Sequence, residues 1–367
     1  MIPPSPTMQN RRLLALAVRL QARYKVLRWW LRRVRGVSGV QIVPYLGYGT
    51  DRIAVVRGRV IVPDRVLPAH PADSRWRNFR NAWHRFHPRE LPLVRIRAQL
   101  GDRVHEGRTT QLGYFAFELA LDSPPDSRVL PVALELPDFA ALPGAQTIGQ
   151  VLVTSPDARF GIISDLDDSI IRSDVVNTAR LLWNTATRNA HTRETFPGVP
   201  ELYTALHADT NPVFYVSTSP WNIYDMLHEF LALKGIPAGP LFLLHLGLTE
   251  HYYFRPRPAE YKLALIRQLL DDHPALPFLC FGDSTEEDAE VYLAAMRAFP
   301  GRIAAGYIRD VLDGARDDAI RPLLAEARAA GSEMLLVRDS FQAAEHAAAA
   351  GFLPPNALPA IRAACQR

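Results

Sequence analysis

The sequence predicts an α/β protein with a mostly parallel, doubly wound sheet, preceded by a β-rich region and a basic amphipathic helix. Three observations lead to this prediction. After about residue 150, apolar segments of strand length alternate with helical segments. Residues 41–150 hold short β-prone segments separated by glycines. Nine basic residues and no acidic residue precede residue 40. The predicted domains are therefore 1–40, 41–150 and 151–367.

Residues 9–35 place apolar side chains on one helical face, at steps of three and four. These side chains are Leu13, Leu16, Leu20, Tyr24, Leu27, Leu31 and Val34. Arg19 and Arg23 interrupt any run of the roughly 20 apolar residues that cross a membrane. The apolar segment is also too short for a secretory signal. Two interpretations stay open: the helix lies on an anionic membrane surface, or it docks on the protein body with its arginines in water.

In the β-rich region, strands are predicted at 53–56, 57–62, 93–98 and 114–119. Arg57 and Arg59 alternate with Gly58 and Val60, which indicates a half-exposed antiparallel strand. Residues 72–89 interleave arginine with aromatic side chains, a pattern that could bind nucleic acid or phospholipid headgroups. A helix packing its aromatics on the sheet is the preferred interpretation, so no nucleic-acid partner is expected. Residues 144–150 are predicted to be a linker.

In the C-terminal part, the alternation of strands and helices predicts βαβ units. The strands are predicted at 159–164, 213–217, 241–244, 278–282, 303–308 and 334–337. The helices are predicted at 221–233, 261–270, 288–298, 320–330 and 343–350. Open α/β sheets bind ligands at the carboxyl ends of their strands, so the residues that follow these strands are the candidate site.

The first of these strands ends in three carboxylates, Asp165, Asp167 and Asp168. Like charges at the end of a buried strand repel one another and lose solvation, so a cation is expected there. Clustered oxygen ligands of this kind suit Mg²⁺. A solvated acidic turn is the alternative.

The next strand ends in Ser217 and Thr218, directly before a helix. Hydroxyl groups and free backbone N–H groups at a helix start form a cradle for phosphate. An ordinary serine N-cap is the alternative interpretation.

Asp283 and Asp288 follow the strand at 278–282 and are spaced to reach the same ion. An acidic first turn of a helix is the alternative for this pair. Lys262 heads the preceding helix and supplies a compact positive charge suited to phosphate. A solvated helix lysine is its alternative.

Taken in order, these clusters resemble the four motifs of the haloacid dehalogenase-like (HAD-like) phosphatases. The motif residues are Asp165, Asp167, Ser169, Ser217, Lys262, Asp283 and Asp288. Residues 196–203, 215–224, 282–292 and 307–310 narrow the resemblance to the family that contains the fungal actin-patch phosphatidate phosphatase. It covers about residues 150–355 and extends weakly to residues 44–60.

The resemblance implies a HAD-like Rossmannoid parallel sheet with helices on both faces, and a mechanism. Asp165 would be the nucleophile that forms an aspartyl-phosphate, and Asp167 the general acid and base. Mg²⁺ would be held by Asp165, the main-chain carbonyl of Asp167, Asp283 and Asp288. Ser217, Thr218 and Lys262 would hold the phosphoryl oxygens.

The resemblance and the basic helix together favour phosphatidate, hydrolysed to diacylglycerol and phosphate, as substrate. A chain of 367 residues with two cysteines shows no disulfide framework, so a reducing, cytoplasmic location is expected. Residues 9–35 would then supply peripheral contact with an anionic membrane. The alternatives are a phosphatase of a soluble phosphate ester and a non-catalytic phosphate- or lipid-binding adaptor on the same fold.

Overall fold

The structure, a computed structural model, describes residues 39–63, 89–172, 193–244, 257–312 and 314–367. These residues form two compact units, divided between residues 152 and 153. The amphipathic helix predicted over residues 9–35 lies outside the described residues, as does the arginine- and aromatic-rich stretch up to residue 88. No helix among the described residues is long and apolar enough to cross a membrane.

The first unit, within residues 39–63 and 89–152, is a mainly antiparallel sheet. Its strands are β1 (Gln41–Gly49), β2 (Ile53–Val62), β3 (Arg89–Glu90), β4 (Arg95–Leu100), β5 (Arg103–Arg108), β6 (Tyr114–Ala120), β7 (Val129–Glu135) and β8 (Gln146–Val153). Their order is β3-β2-β1-β8-β7-β4-β5, and β6 also pairs with β2. This unit has a buried hydrophobic core that includes Val56, Ile96 and Val132.

Two predictions for this unit are wrong. Residues 144–150 are not a linker, because β8 runs through them and pairs antiparallel with β7. Strand β2 is antiparallel as predicted, but Arg59 is only 4% exposed. Of the two arginines predicted on the exposed face of this strand, Arg57 is half-buried and Arg59 is buried.

The second unit is built around a parallel sheet. Its strands are β9 (Gly161–Ser164), β10 (Ile171–Arg172), β11 (Glu194–Thr195), β12 (Val213–Pro220), β13 (Leu241–Leu244), β14 (Phe278–Asp283), β15 (Ile303–Arg309) and β16 (Glu333–Val337). The sheet order is β13-β12-β9-β14-β15-β16, and every neighbouring pair is parallel. Strands β10 and β11 form a separate antiparallel pair.

The helices of this unit follow the strands along the chain. They are α1 (Val199–His207), α2 (Tyr224–Leu233), α3 (Pro258–Asp272), α4 (Asp288–Ala298), α5 (Asp317–Ala329), α6 (Ser340–Ala349) and α7 (Leu358–Cys365). All residues of β9 and β14 are buried, as expected for central strands of a parallel sheet. The predicted strand–helix alternation is confirmed, and the two central strands bring residues 165 and 283 to one edge of the sheet.

Candidate active site

The candidate site lies at the carboxyl ends of β9 and β14, which are neighbours in the sheet. Their register pairs Ser164 with Phe281. Asp165 follows immediately, and its backbone N–H donates to the carbonyl of Phe281 at 2.8 Å. Asp283 is the last residue of β14. The sheet hydrogen bonds therefore place two carboxylates, from segments more than a hundred residues apart in sequence, at the same edge.

Lys262, on α3, lies at the centre of the acidic cluster. Its Nζ is 2.9 Å from Oδ1 of Asp165, 2.6 Å from Oδ1 of Asp288 and 2.8 Å from Oε2 of Glu286. The lysine side chain is only 4% exposed. Because an ammonium group has three N–H donors, these three carboxylates take up its whole donating capacity.

Asp165, Asp283 and Asp288 form a buried group that could hold a metal ion, since one carboxylate oxygen from each lies within 4.8 Å of the others. Oδ2 of Asp165 and Oδ2 of Asp283 accept no hydrogen bond from the described residues. Both oxygens of Asp288, in contrast, are engaged, by Lys262 and by the backbone N–H of Asp283 at 3.2 Å. Buried acceptor oxygens without a donor suit a divalent cation, so these residues fit one.

The protonation of the cluster reflects its excess of negative charge. Burial raises the pKa of Asp165 well above its usual range, against the attraction of Lys262 and helped by Asp288, Glu286 and Asp283. Burial and the charge of Asp288 raise the pKa of Asp283 to about 7. Burial opposes the charge of Lys262, but the neighbouring carboxylates outweigh it and raise the lysine pKa well above its usual value. The cluster thus holds four carboxylates and one ammonium group, and a second cation would relieve the repulsion between the carboxylates.

The side chain of Asp167 does not belong to the buried triad of the described residues. Its Oδ2 accepts hydrogen bonds from the hydroxyl groups of Ser217, at 3.0 Å, and Ser219, at 2.8 Å. The Ser217 hydroxyl in turn accepts the backbone N–H of Ser219 at 2.9 Å. Thr218 points elsewhere, because its hydroxyl donates to Oε1 of Glu286 at 3.4 Å. The two predicted phosphate-binding hydroxyls therefore contact carboxylates in this structure.

The turn after β14 depends on a glycine and on hydrogen bonds to Asp283. A Cβ at Gly282 would lie 2.6 Å from the side chain of Asp288. Only glycine therefore allows Asp288 to pack this closely against the end of β14, next to Asp283. Oδ1 of Asp283 accepts the backbone N–H groups of Thr285, at 2.6 Å, and Glu286, at 3.3 Å. The Thr285 hydroxyl also donates to it.

Arg316, which lies just before α5, donates hydrogen bonds to the turn that follows β14. Its Nη1 donates to the carbonyl oxygens of Ser284, at 3.0 Å, and Glu286, at 2.7 Å, and its Nη2 to Oε1 of Glu290 at 3.3 Å. Sequence reasoning assigned no role to Ser219, Glu286 or Arg316. The first two lie inside segments that the motifs already marked, whereas Arg316 lies 30 residues beyond Glu286 and has no local pattern that points to the site.

Comparison with known proteins finds a family match over part of the chain. Residues 160–310, which contain every predicted site residue, match the family model described as Phosphatidate phosphatase APP1, catalytic domain. Phosphatidate phosphatase APP1 of Saccharomyces cerevisiae is 33% identical over 152 residues, covering 41% of this chain and 26% of that protein. Uncharacterized protein C29B5.04c of Schizosaccharomyces pombe is 28% identical over 157 residues, covering 42% of this chain and 25% of that protein. The chain thus spans about a quarter of the length of these relatives.

Among solved structures, the carbohydrate acetylesterase XAC1771 from Xanthomonas citri matches 78% of this chain and 74% of its own. Its TM-score is 0.24 and its sequence identity is 12%, values that indicate no shared fold. The family match stands on sequence, and it agrees with the resemblance that the motifs indicated. Residues 160–310 are thus similar to the phosphatidate phosphatase APP1 catalytic domain.

Proposed function

We propose that this chain hydrolyses phosphate monoesters, with Asp165 as nucleophile, Mg²⁺ as cofactor and phosphatidate as substrate. One observation carries the proposal. Lys262 binds Oδ1 of the buried Asp165, while Oδ2 of Asp165 and Oδ2 of Asp283 accept no hydrogen bond from the described residues. This arrangement leaves Oδ2 of Asp165 for the reaction and Oδ2 of Asp283 for a cation. The family match supports phosphatase activity on phosphatidate.

In the proposed reaction, Oδ2 of Asp165 attacks the phosphorus, the phosphorus–oxygen ester bond breaks, and an aspartyl-phosphate forms. Lys262, 2.9 Å from Oδ1, favours the ionised carboxylate and keeps it in place. Water then cleaves the aspartyl-phosphate and releases inorganic phosphate. Two displacements replace one difficult direct hydrolysis.

Asp167 would supply the proton that the leaving alcohol needs and would then remove a proton from the attacking water. It is two residues beyond the nucleophile, and the hydroxyl groups of Ser217 and Ser219 fix its carboxylate. Because both hydroxyls donate to the same oxygen, Oδ2, they leave Oδ1 for the proton transfer. Ser219 therefore joins the proposed site as a positioning residue.

The proposed cation ligands are Asp165, Asp283 and the main-chain carbonyl of Asp167, with Asp288 in support. When bound, a divalent cation would neutralise negative charge on the carboxylates and on the phosphoryl oxygens. Lys262 and the hydroxyl group of Thr218 would contact those oxygens directly. The Ser217 hydroxyl would do so by turning its single O–H away from Asp167, which Ser219 would continue to hold.

Phosphatidate is proposed as substrate because the matched family model and the budding-yeast relative are both described as phosphatidate phosphatases. The basic segment 9–35 is proposed to bring the catalytic unit to an anionic membrane. A cytoplasmic location with peripheral membrane contact follows from the same proposal.

The direct test measures phosphate release from phosphatidate in mixed micelles, with and without Mg²⁺, beside a panel of soluble phosphomonoesters. Asp165→Asn should lower the rate roughly 10³-fold or more while the protein stays folded. Asp271→Asn, at an exposed position on α3, is the matched control and should keep full activity.

Each other outcome removes a different part of the proposal. Release only from soluble esters would exclude phosphatidate and keep the mechanism. Activity of Asp165→Asn at the wild-type rate would exclude Asp165 as nucleophile. If nothing is hydrolysed although metal binds, the chain is a phosphate- or lipid-binding adaptor.

A further inference from the structure

Glu286 contacts two of the groups that the proposed function assigns to the phosphoryl oxygens. Its Oε2 lies 2.8 Å from Nζ of Lys262, and its Oε1 accepts the hydroxyl of Thr218 at 3.4 Å. A carboxylate that bridges an ammonium group and a hydroxyl presents the same kind of acceptors as two oxygens of a phosphate. The proposed mechanism gives this residue no role.

We propose that Glu286 holds the place of the substrate phosphoryl group in the ligand-free protein and that a phosphate monoester displaces it. Glu286 is then a specificity-determining residue, because each ligand must compete with its carboxylate for Lys262 and Thr218. The affinity of a ligand therefore depends on how much more strongly it binds these two groups than Glu286 does. The inference rests on the proposed function, which places the phosphoryl group beside Lys262 and Thr218.

The three carboxylates that contact Lys262 differ in burial, and this difference indicates which of them can move away from the lysine. The side chains of Asp165 and Asp288 are at most 2% exposed, whereas that of Glu286 is 33% exposed. The first two cannot withdraw from Lys262 without leaving the buried interior of the site. Glu286 can rotate toward solvent, where its charge is hydrated.

The backbone of Glu286 stays fixed when its side chain moves. Its N–H donates to Oδ1 of Asp283 at 3.3 Å, and its carbonyl accepts Nη1 of Arg316 at 2.7 Å. Displacement therefore needs only a side-chain rotation and leaves the metal-binding turn unchanged. It releases one N–H donor of Lys262 and the Thr218 hydroxyl together, so two oxygens of a phosphate replace two oxygens of the carboxylate.

The exchange also depends on charge. A phosphate monoester is a dianion near neutral pH and brings two charges where the carboxylate had one. A phosphodiester is a monoanion and gains no such advantage over Glu286. Glu286 should therefore exclude monoanions more strongly than dianions.

The test uses the full chain and isothermal titration calorimetry, both with Mg²⁺ and with EDTA. At pH 8, where inorganic phosphate is mostly a dianion, it is the dianionic probe and dimethyl phosphate is the monoanionic one. Glu286→Gln, which keeps the size of the side chain, should bind inorganic phosphate roughly tenfold more tightly than wild type, equivalent to about 1.4 kcal/mol. It should also bind dimethyl phosphate, which the wild-type protein should not bind.

Glu287→Gln is the matched control, because it removes the same charge from the neighbouring, exposed position. It should change phosphate affinity less than twofold, the change expected of an exposed charge in salt. In turnover with a soluble phosphomonoester, Glu286→Gln should lower KM more than it changes kcat. A role limited to folding would change the melting temperature and not this ratio.

The remaining outcomes overturn the inference in distinguishable ways. Equal phosphate affinity of wild type and Glu286→Gln would leave the phosphate site in place and remove the competition. Weaker phosphate binding by Glu286→Gln would make Glu286 a support of the bound state. No phosphate binding by any variant would overturn the inference and the proposed phosphoryl site together.

Discussion

Replacing Asp283 by asparagine should stabilise the metal-free protein at alkaline pH and abolish its stabilisation by metal. Asp283 is buried, and burial with the charge of Asp288 raises its pKa to about 7. An asparagine Oδ1 can still accept the backbone N–H groups of Thr285 and Glu286, which now donate to Oδ1 of Asp283. The substitution therefore removes the buried charge and retains the turn.

The sign follows from the direction of the pKa change. The carboxyl group of Asp283 has a pKa near 3.8 in the unfolded chain and about 7 in the folded protein, so the folded protein binds its proton more tightly. The free energy of unfolding therefore falls as pH rises from about 4 to about 7. Ionised Asp283 costs the fold about 4 kcal/mol above pH 7, and about 3 kcal/mol of this appears between pH 5 and pH 8. The asparagine amide replaces an oxygen that has no donor among the described residues, which offsets about 1–3 kcal/mol of the gain.

The assay is denaturant unfolding in EDTA at pH 5 and pH 8, followed by titration with Mg²⁺. We expect Asp283→Asn to be about 1–3 kcal/mol more stable than wild type at pH 8, with little or no gain at pH 5. Mg²⁺ should raise the stability of the wild type alone. Asp271→Asn, at an exposed position, should follow the wild-type curve at both pH values.

Unfolding of Asp283→Asn at a lower denaturant concentration than wild type at pH 8 would contradict this prediction. Equal stabilisation of both proteins by Mg²⁺ would remove Asp283 from the metal site.

Two further predictions concern the support of the site and its delivery to a membrane. Arg316→Ala should lower stability by about 1–2 kcal/mol and Mg²⁺ affinity by about tenfold, because the turn loses its charged hydrogen bonds at Ser284 and Glu286. Calorimetric Mg²⁺ titration checks this, and Arg321→Ala, at an exposed arginine of α5, is the control. Deleting residues 1–36 should reduce co-sedimentation with anionic liposomes, and equal sedimentation of both proteins would rule out membrane contact through this segment.

The parallel sheet could be predicted because its signal is local. Each strand of the parallel sheet is a short, mainly apolar segment followed by turn or helix residues, and the strand-end rule then places those following residues at one edge. The structure brings Asp165, Lys262, Asp283 and Asp288 together at that edge. The rule predicts that side chains will meet, but not the hydrogen bonds that they form, so the engagement of Ser217 with Asp167 could not be foreseen.

The β-rich unit was predicted less completely because its strands have weaker patterns. Strand β1 contains Pro44, strand β7 contains Pro131, and β5 is mostly polar and exposed. Proline and exposed polar residues are typical of turns and edges, so these segments do not indicate strands by composition. The burial of Arg59 likewise depends on what packs over its face of the sheet, which the sequence of β2 alone does not show.

Arginine supplies most of the basic charge of this chain, and Lys25, Lys234 and Lys262 are its only lysines. The contacts of Lys262 explain why a lysine suits this position. A lysine ammonium group directs three independent donors, and here each one contacts a different carboxylate. A guanidinium group would present a planar fork that favours two bonds to a single partner. With three separate donors, the contacts to the buried Asp165 and Asp288 can persist while the third donor changes from Glu286 to a phosphoryl oxygen. If Glu286 is displaced as proposed, Lys262 would hold the fixed anions and the exchangeable anion through different donors.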